Sequence, residues 1–324
     1  MKRVKYCMVV SWLLAGLTLT LILTSPSTWA QTAKLGEIPL KESAGSLTST
    51  APDDSGGPRA IAFDGVYIWV ARQFANNVVR LNASTGANAG TFKVGDRPSA
   101  VLHAFSAIWV ANAQSNTITK LQPSSGAVLG TYAVDEGPAA LVSDGAYLWV
   151  ANRASNTLTK LDASGRRLLT VEAVRAPAGL AFDGANIWVA SSKDKAVIKI
   201  RASDGARLGD FPVGDGPSGI AFDGASIWVA NFFSGNVMKL RAVDGARLGT
   251  FPTGDGAAGV AFDGANIWVT NTAIDSVTVL RRDGAVVASY GTGKGPAQVV
   301  HDGAHIWLAN GGSDSVSTSV MGWK

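Results

Sequence analysis

The chain has 324 residues, of which 47% are hydrophobic and 16% charged. That excludes disorder over most of its length and leaves room for one large domain or two ordinary ones. The formal net charge is +4; taking away Lys2, Arg3 and Lys5, with which no acid goes, lowers it to +1, too little to recruit nucleic acid.

Those three residues open a secretory signal. A basic start is followed by an apolar run over residues 7–23, then Ser25, Pro26 and Ser27, and a small-residue site ending at Ala30. Residues 1–30 are therefore expected to be removed before Gln31, placing the protein outside the cytoplasm, secreted or periplasmic, with no stable membrane insertion afterwards. An uncleaved anchor is the alternative, because the run is nearly long enough to span a bilayer. Cys7 is the single cysteine and lies inside the run. The mature chain then has no disulfide and must hold together by its core.

Residues 33–40, AKLGEIPL, read as a short strand, and 41–56, rich in Ser, Thr, Gly and Asp, as a loop. From there to the end the chain repeats. Trp69, Trp109, Trp149, Trp188, Trp228, Trp268 and Trp307 recur every 39 or 40 residues. A period of that size is the mark of a repeat architecture.

The unit 216–255, GPSGIAFDGASIWVANFFSGNVMKLRAVDGARLGTFPTGD, predicts four strands at 218–222, 226–231, 236–241 and 247–252. Asp223-Gly224 and Asp244-Gly245 mark tight turns, since Gly takes a positive φ without steric cost. No segment sustains a 3.6 period. The second strand is apolar on both faces and needs cover from both sides. Seven such sheets arranged radially make an all-β, seven-bladed β-propeller of four-stranded antiparallel blades. The seventh repeat stops before its fourth strand. Residues 33–40 resemble 206–213 position by position, so this N-terminal strand is expected to close the ring and remove an open edge. Residues 46–50 are a rival closing strand, nearer the first blade but less apolar.

The recurring residues have structural roles. The tryptophans pack between blades and their indole N–H groups need partners. Asp64, Asp144, Asp183, Asp223, Asp263 and Asp302 form turns; in the second repeat Ala104 and Phe105 stand instead. Asn112, Asn152, Asn231, Asn271 and Asn310, with Arg72 and Ser191 as variants, are expected to cap turns through bonds to the backbone.

Function is sought in what varies. The loops between second and third strands and the connections between blades carry Phe74, Arg97, Arg153, Lys193, Phe232 and Phe233. These are the candidate ligand-binding residues, with Phe232 and Phe233 as an apolar anchor. Catalytic supply is thin. His103 and His301 fall where Phe222 lies in the repeat, His305 falls at Ser226, and Glu occurs only at 37, 42, 136 and 172. Catalytic and metal-ligating residues are left unassigned. Asp215 and Asp255 are the acids that could hold Mg²⁺ or Ca²⁺ at the channel; otherwise no cofactor is expected.

The repeat, as in PSGIAFDGASIWVAN and ARLGTFPTGD, resembles the bacterial forty-residue YVTN-type propeller repeat and the wider group containing streptogramin (virginiamycin B) lyase and NHL-type propellers. The resemblance covers about residues 57–324. It implies the propeller fold. The signal, the regular loops and the thin catalytic supply lead to the expectation of an exported, monomeric scaffold binding a protein, peptide or cell-envelope ligand through one face. The resemblance and the Asp-rich connections give the alternative, a metal-dependent lyase or hydrolase acting at the channel mouth. The lyase resemblance implies a His with nearby Glu and Mg²⁺, and no Glu follows Glu172 here. Whether the protein is an enzyme stays open at this point.

Overall fold

The computed structural model describes residues 35–39, 56–172 and 174–318. The signal segment 1–30, the rival strand 46–50 and loop residues 41–55 lie outside them. Each repeat folds as a four-stranded antiparallel sheet, and seven sheets form a seven-bladed β-propeller. In the representative repeat the strands are Pro217–Phe222, Ser226–Asn231, Asn236–Arg241 and Arg247–Pro252. The first begins one residue earlier than the sequence predicts, at a proline. Proline suits the start of a strand because it has no N–H to place in the ladder.

The core is a set of wedges between blades. Trp69 packs with Val101, Ile108 and Val110 of the next blade. Trp149 does so with Leu180 and Ile187, and Trp307 with Ile61, Ile68 and Val70 of the first blade. The apolar interior thus runs round the ring and closes on itself.

The turn aspartates do more than turn. Asp223 Oδ1 accepts the amides of Ala225 and Ser226, while Oδ2 accepts the Trp228 indole N–H at 2.8 Å. The same indole bond joins Trp69 to Asp64, Trp149 to Asp144, Trp188 to Asp183, Trp268 to Asp263 and Trp307 to Asp302. In the second blade the Ala104 carbonyl takes the Trp109 indole at 3.0 Å, and Phe105 and Ser106 make the turn, both with φ of 53°. Burial pushes the carboxyls of Asp183, Asp223, Asp263 and Asp302 up. Hydrogen bonds from the indole and turn amides outweigh it and leave them below the usual carboxylate range.

A basic residue on the third strand clasps each of the first five blades to the next. Lys199 lies 4.8 Å from the Trp188 ring centroid and donates to the Ala242 carbonyl at 2.7 Å. Lys120, Lys160, Lys239 and Arg80 do likewise, reaching carbonyls of Ala163, Ala202, Arg282 and Pro123. A cation over an aromatic face is worth more as water is excluded from it.

The asparagines correct the sequence reading. Asn112 Nδ2 donates to the hydroxyls of Thr117 and Thr119, and Asn271 Nδ2 to those of Ser276 and Thr278. Their partners are side chains on the third strand. The cross-strand register sets Asn112 opposite Thr117; Asn231 differs, donating to Asn236 Oδ1 and to the Val229 carbonyl.

The ring is closed by Gly36–Pro39, the outer strand of the seventh blade, paired antiparallel with Ser315–Thr318. Ile38 sits opposite Val316 as Phe211 sits opposite Val197, the register implied by the match of 33–40 to 206–213. The seam between last and first blades has its own fastenings. Arg72 and Asp314 make a two-pronged pair at 2.7 and 3.1 Å, with side chains only 9% and 3% exposed. Gln298 Oε1 accepts the Ile61 amide at 2.8 Å.

Two outcomes test this. Asp223→Ala should cost about 2–4 kcal/mol in urea unfolding, since it strands a buried indole and two amides; a loss under about 0.5 kcal/mol would contradict the role given to the carboxylate. Arg72→Ala and Asp314→Ala should each cost about 3 kcal/mol, and the double variant much less than their sum. The depressed carboxyls also fix a pH response. The unfolded chain binds more protons between the unfolded and folded pKa values, so stability is full above about pH 5 and falls as pH drops below about 4. A melting temperature flat to about pH 3 would contradict it.

Candidate functional site

The inner strands line a central channel. Near their starts the pairing with the second strand slips, in five blades between first and third residues, as between Pro58 and Ala60, and in the fifth and sixth between first and fourth, as between Pro217 and Ile220. The residue in the slip has no partner in the ladder, and such a bulge re-aims its side chain. In the first blade that residue is Arg59, which lines the channel. At the same repeat position the other six blades carry Ser99, Ala139, Ala178, Ser218, Ala258 and Ala297. One guanidinium therefore enters a channel walled by small side chains.

The next repeat position explains why the walls stand so close. A Cβ on Gly179 would lie 2.1 Å from the Ser218 carbonyl oxygen, and one on Gly219 2.2 Å from that of Ala258. In those two blades the approach leaves no room for a side chain, while the first three blades carry Ala at this position. The cavity, open to solvent at its mouth, holds about 620 Å³, within the range of small-molecule sites.

The channel opens among the loops between second and third strands. Those loops are tied to the blade connections: Gln73 N donates to Gly57 O, Arg153 N to Gly137 O and Phe232 N to Gly216 O. Asn76 and Asn156 add side-chain bonds to the amides of Arg97 and Ala176 in the following connections. The mouth is thus a braced face, where side chains are held at low cost in loop entropy.

Arg153 and Lys193 come from these loops and line the same cavity as Arg59; no Asp, Glu, His or Cys lines it. Arg153 touches the Ser192 hydroxyl at 3.4 Å. Neighbouring cations have acids: Arg175 is 3.6 Å from Asp194 and Lys195 is 2.6 Å from Asp215. Among the described residues Arg59, Arg153 and Lys193 have none. Water reaches Arg59, yet the channel wall surrounds it. That enclosure, and then the Arg153 charge, hold its guanidinium below its usual pKa.

Of the six residues nominated from sequence, Arg153 and Lys193 meet at the channel. The other four stand on the loop face outside it. Phe233 is 79% exposed and Phe74 is 61% exposed. They occupy equivalent positions in the fifth and first blades, each ring lying over a connection glycine, Gly216 and Gly57. Phe232 is half-buried and meets Phe233 edge to face with centroids 5.2 Å apart. Arg97 lies 5.8 Å from the Phe74 ring centroid.

Arg59 was missed. Its signal was available in the repeat alignment, as the one large residue in a column of Ser and Ala. The acids considered for a cation do not converge. Asp215 pairs with Lys195, neither Asp215 nor Asp255 lines the cavity, and among the described residues no three His, Cys, Asp or Glu side chains gather. His103 and His301 sit at the far ends of inner strands, opposite Ile108 and Ile306. His305 Nδ1 is 3.3 Å from Asp302 Oδ2.

No protein-family model matches the chain, and no curated protein sequence does. Solved structures do. A hydrazine synthase chain from Kuenenia stuttgartiensis superposes with a TM-score of 0.73 at 19% identity, over 85% of this chain and 98% of that one. A streptogramin B lyase gives 0.73 at 17%, over 88% and 96%. A catalytically inactive virginiamycin B lyase from Staphylococcus aureus, crystallised with quinupristin, gives 0.71 at 17%, over 88% and 98%. At these identities the likeness shows the fold, a streptogramin lyase-like seven-bladed propeller.

Proposed function

We propose that the protein is an exported, monomeric binding scaffold that meets a protein, peptide or cell-envelope ligand on its loop face. The observation that carries this is the exposure of Phe233 and Phe74 on loops braced by backbone bonds. Apolar rings held in water by a rigid frame cost little to order on binding and gain by desolvation. The basic start and apolar run of residues 1–30 support export. The small surplus charge of the remaining chain speaks for a ligand other than nucleic acid.

The resemblance to a lyase supplies a second class of function, a metal-dependent lyase or hydrolase at the channel mouth. No residue set favours it: the channel gathers Arg59, Arg153 and Lys193, and cations repel a divalent ion.

The test is co-sedimentation of purified protein with an envelope fraction from the native host. Wild-type protein should pellet with the fraction, and Phe232→Ala/Phe233→Ala should bind at least fivefold more weakly while keeping its melting temperature. Equal binding by both proteins would remove this face from the site, and no binding by wild type would refute an envelope ligand.

A further inference from the structure

We propose that the central channel is a binding site for a small oxyanion, a carboxylate or a phosphate, gripped by Arg59 and flanked by Arg153 and Lys193. It rests on the reading that the loop face is where ligands arrive, and adds the chemistry of what enters the channel beneath it.

The charges at the channel mouth are out of balance. Two neighbouring rim cations have acids beside them, Arg175 with Asp194 and Lys195 with Asp215, while Arg97 lies by the Phe74 ring. The cavity collects three cations and no acid. Arg59 stays open to water within the channel, so a bound anion would replace water on its donors rather than fill a dry site. Arg59 presents five N–H donors, and no described residue accepts from them. The surrounding wall, and then the Arg153 charge, hold the Arg59 guanidinium below its usual pKa.

A planar guanidinium fits two oxygens of one carboxylate or phosphate side by side. The remaining wall mixes small apolar side chains, such as Ala139, Ala178 and Ala258, with neutral polar ones, such as Ser99, Ser218 and Gln298. It has space for the carbon body of an organic acid, and only the three cations supply charge. The seven-fold repeat sharpens the point. Six blades place Ser or Ala where the first places Arg, so the fold does not need a cation there, and the bulge that aims it inward is common to all blades.

The experiment is isothermal titration calorimetry of the purified protein at constant ionic strength with succinate, inorganic phosphate and, as a neutral probe, glycerol. Arg59→Ser is the key variant, because Ser occupies that position in the second and fifth blades and the strand should fold unchanged. Succinate or phosphate should bind wild type, glycerol should not, and Arg59→Ser should bind the anion at least tenfold more weakly. The tighter of the two anions names the source, carboxylate or phosphate ester. No heat with either anion, or equal affinities for wild type and Arg59→Ser, would overturn the proposal. Loss of anion binding with envelope co-sedimentation intact would strike this proposal alone.

Discussion

The hydrogen bond from each blade's tryptophan to the start of its own turn is the contact on which the rest depends. It solves two problems at once. A ring as large as indole supplies apolar area for the wedge between blades, but its N–H cannot be buried unpaired. An aspartate in an Asp-Gly turn has one oxygen to spare after capping the turn amides. Setting them five residues apart, as Asp223 and Trp228 are, places the donor beside that oxygen. Sequence, turn, strand and packing agree at one contact, repeated in six blades, and such agreement across levels specifies a fold. The second blade shows that the donor's need comes first: without an aspartate, a main-chain carbonyl at Ala104 serves.

The ring is less uniform than its period suggests. Basic clasps fasten the first five blades forward, and Val279 and Thr318 stand at the corresponding positions of the sixth and seventh. The closing seam is held by a buried Arg72–Asp314 pair, by Gln298 and by a four-stranded sheet drawn from both ends of the described chain. Each replaces a repeat residue with one that reaches across. Arg72 stands in the asparagine column and Gln298 in a column of Ala and Gly. Departures from the repeat are thus where the chain does something the average blade does not. Two such departures fasten the ring, and a third, Arg59, enters the channel.

The blade plan was legible in the sequence because tryptophan spacing and Asp-Gly turns are local signals that recur. The closing register was legible too, since 33–40 copies an outer strand closely enough to align Ile38 with Phe211. The asparagine partners were not. A turn cap is a local expectation, whereas the Thr117 hydroxyl arrives through strand pairing. The clasps were hidden for the same reason, as Lys199 reaches a carbonyl 43 residues on. At the site, reading loops for unusual residues found Arg153 and Lys193. Reading repeats for what they share concealed Arg59, because it lies inside a strand whose other copies are inert.

The most direct measurement is a high-resolution crystal structure of the protein grown or soaked with the anion, read at the Arg59 guanidinium. The account requires an oxyanion in the channel with two oxygens at hydrogen-bond distance from Arg59 and its charge facing Arg153 and Lys193. A guanidinium turned to a protein acceptor, with only water between the inner strands, would contradict it.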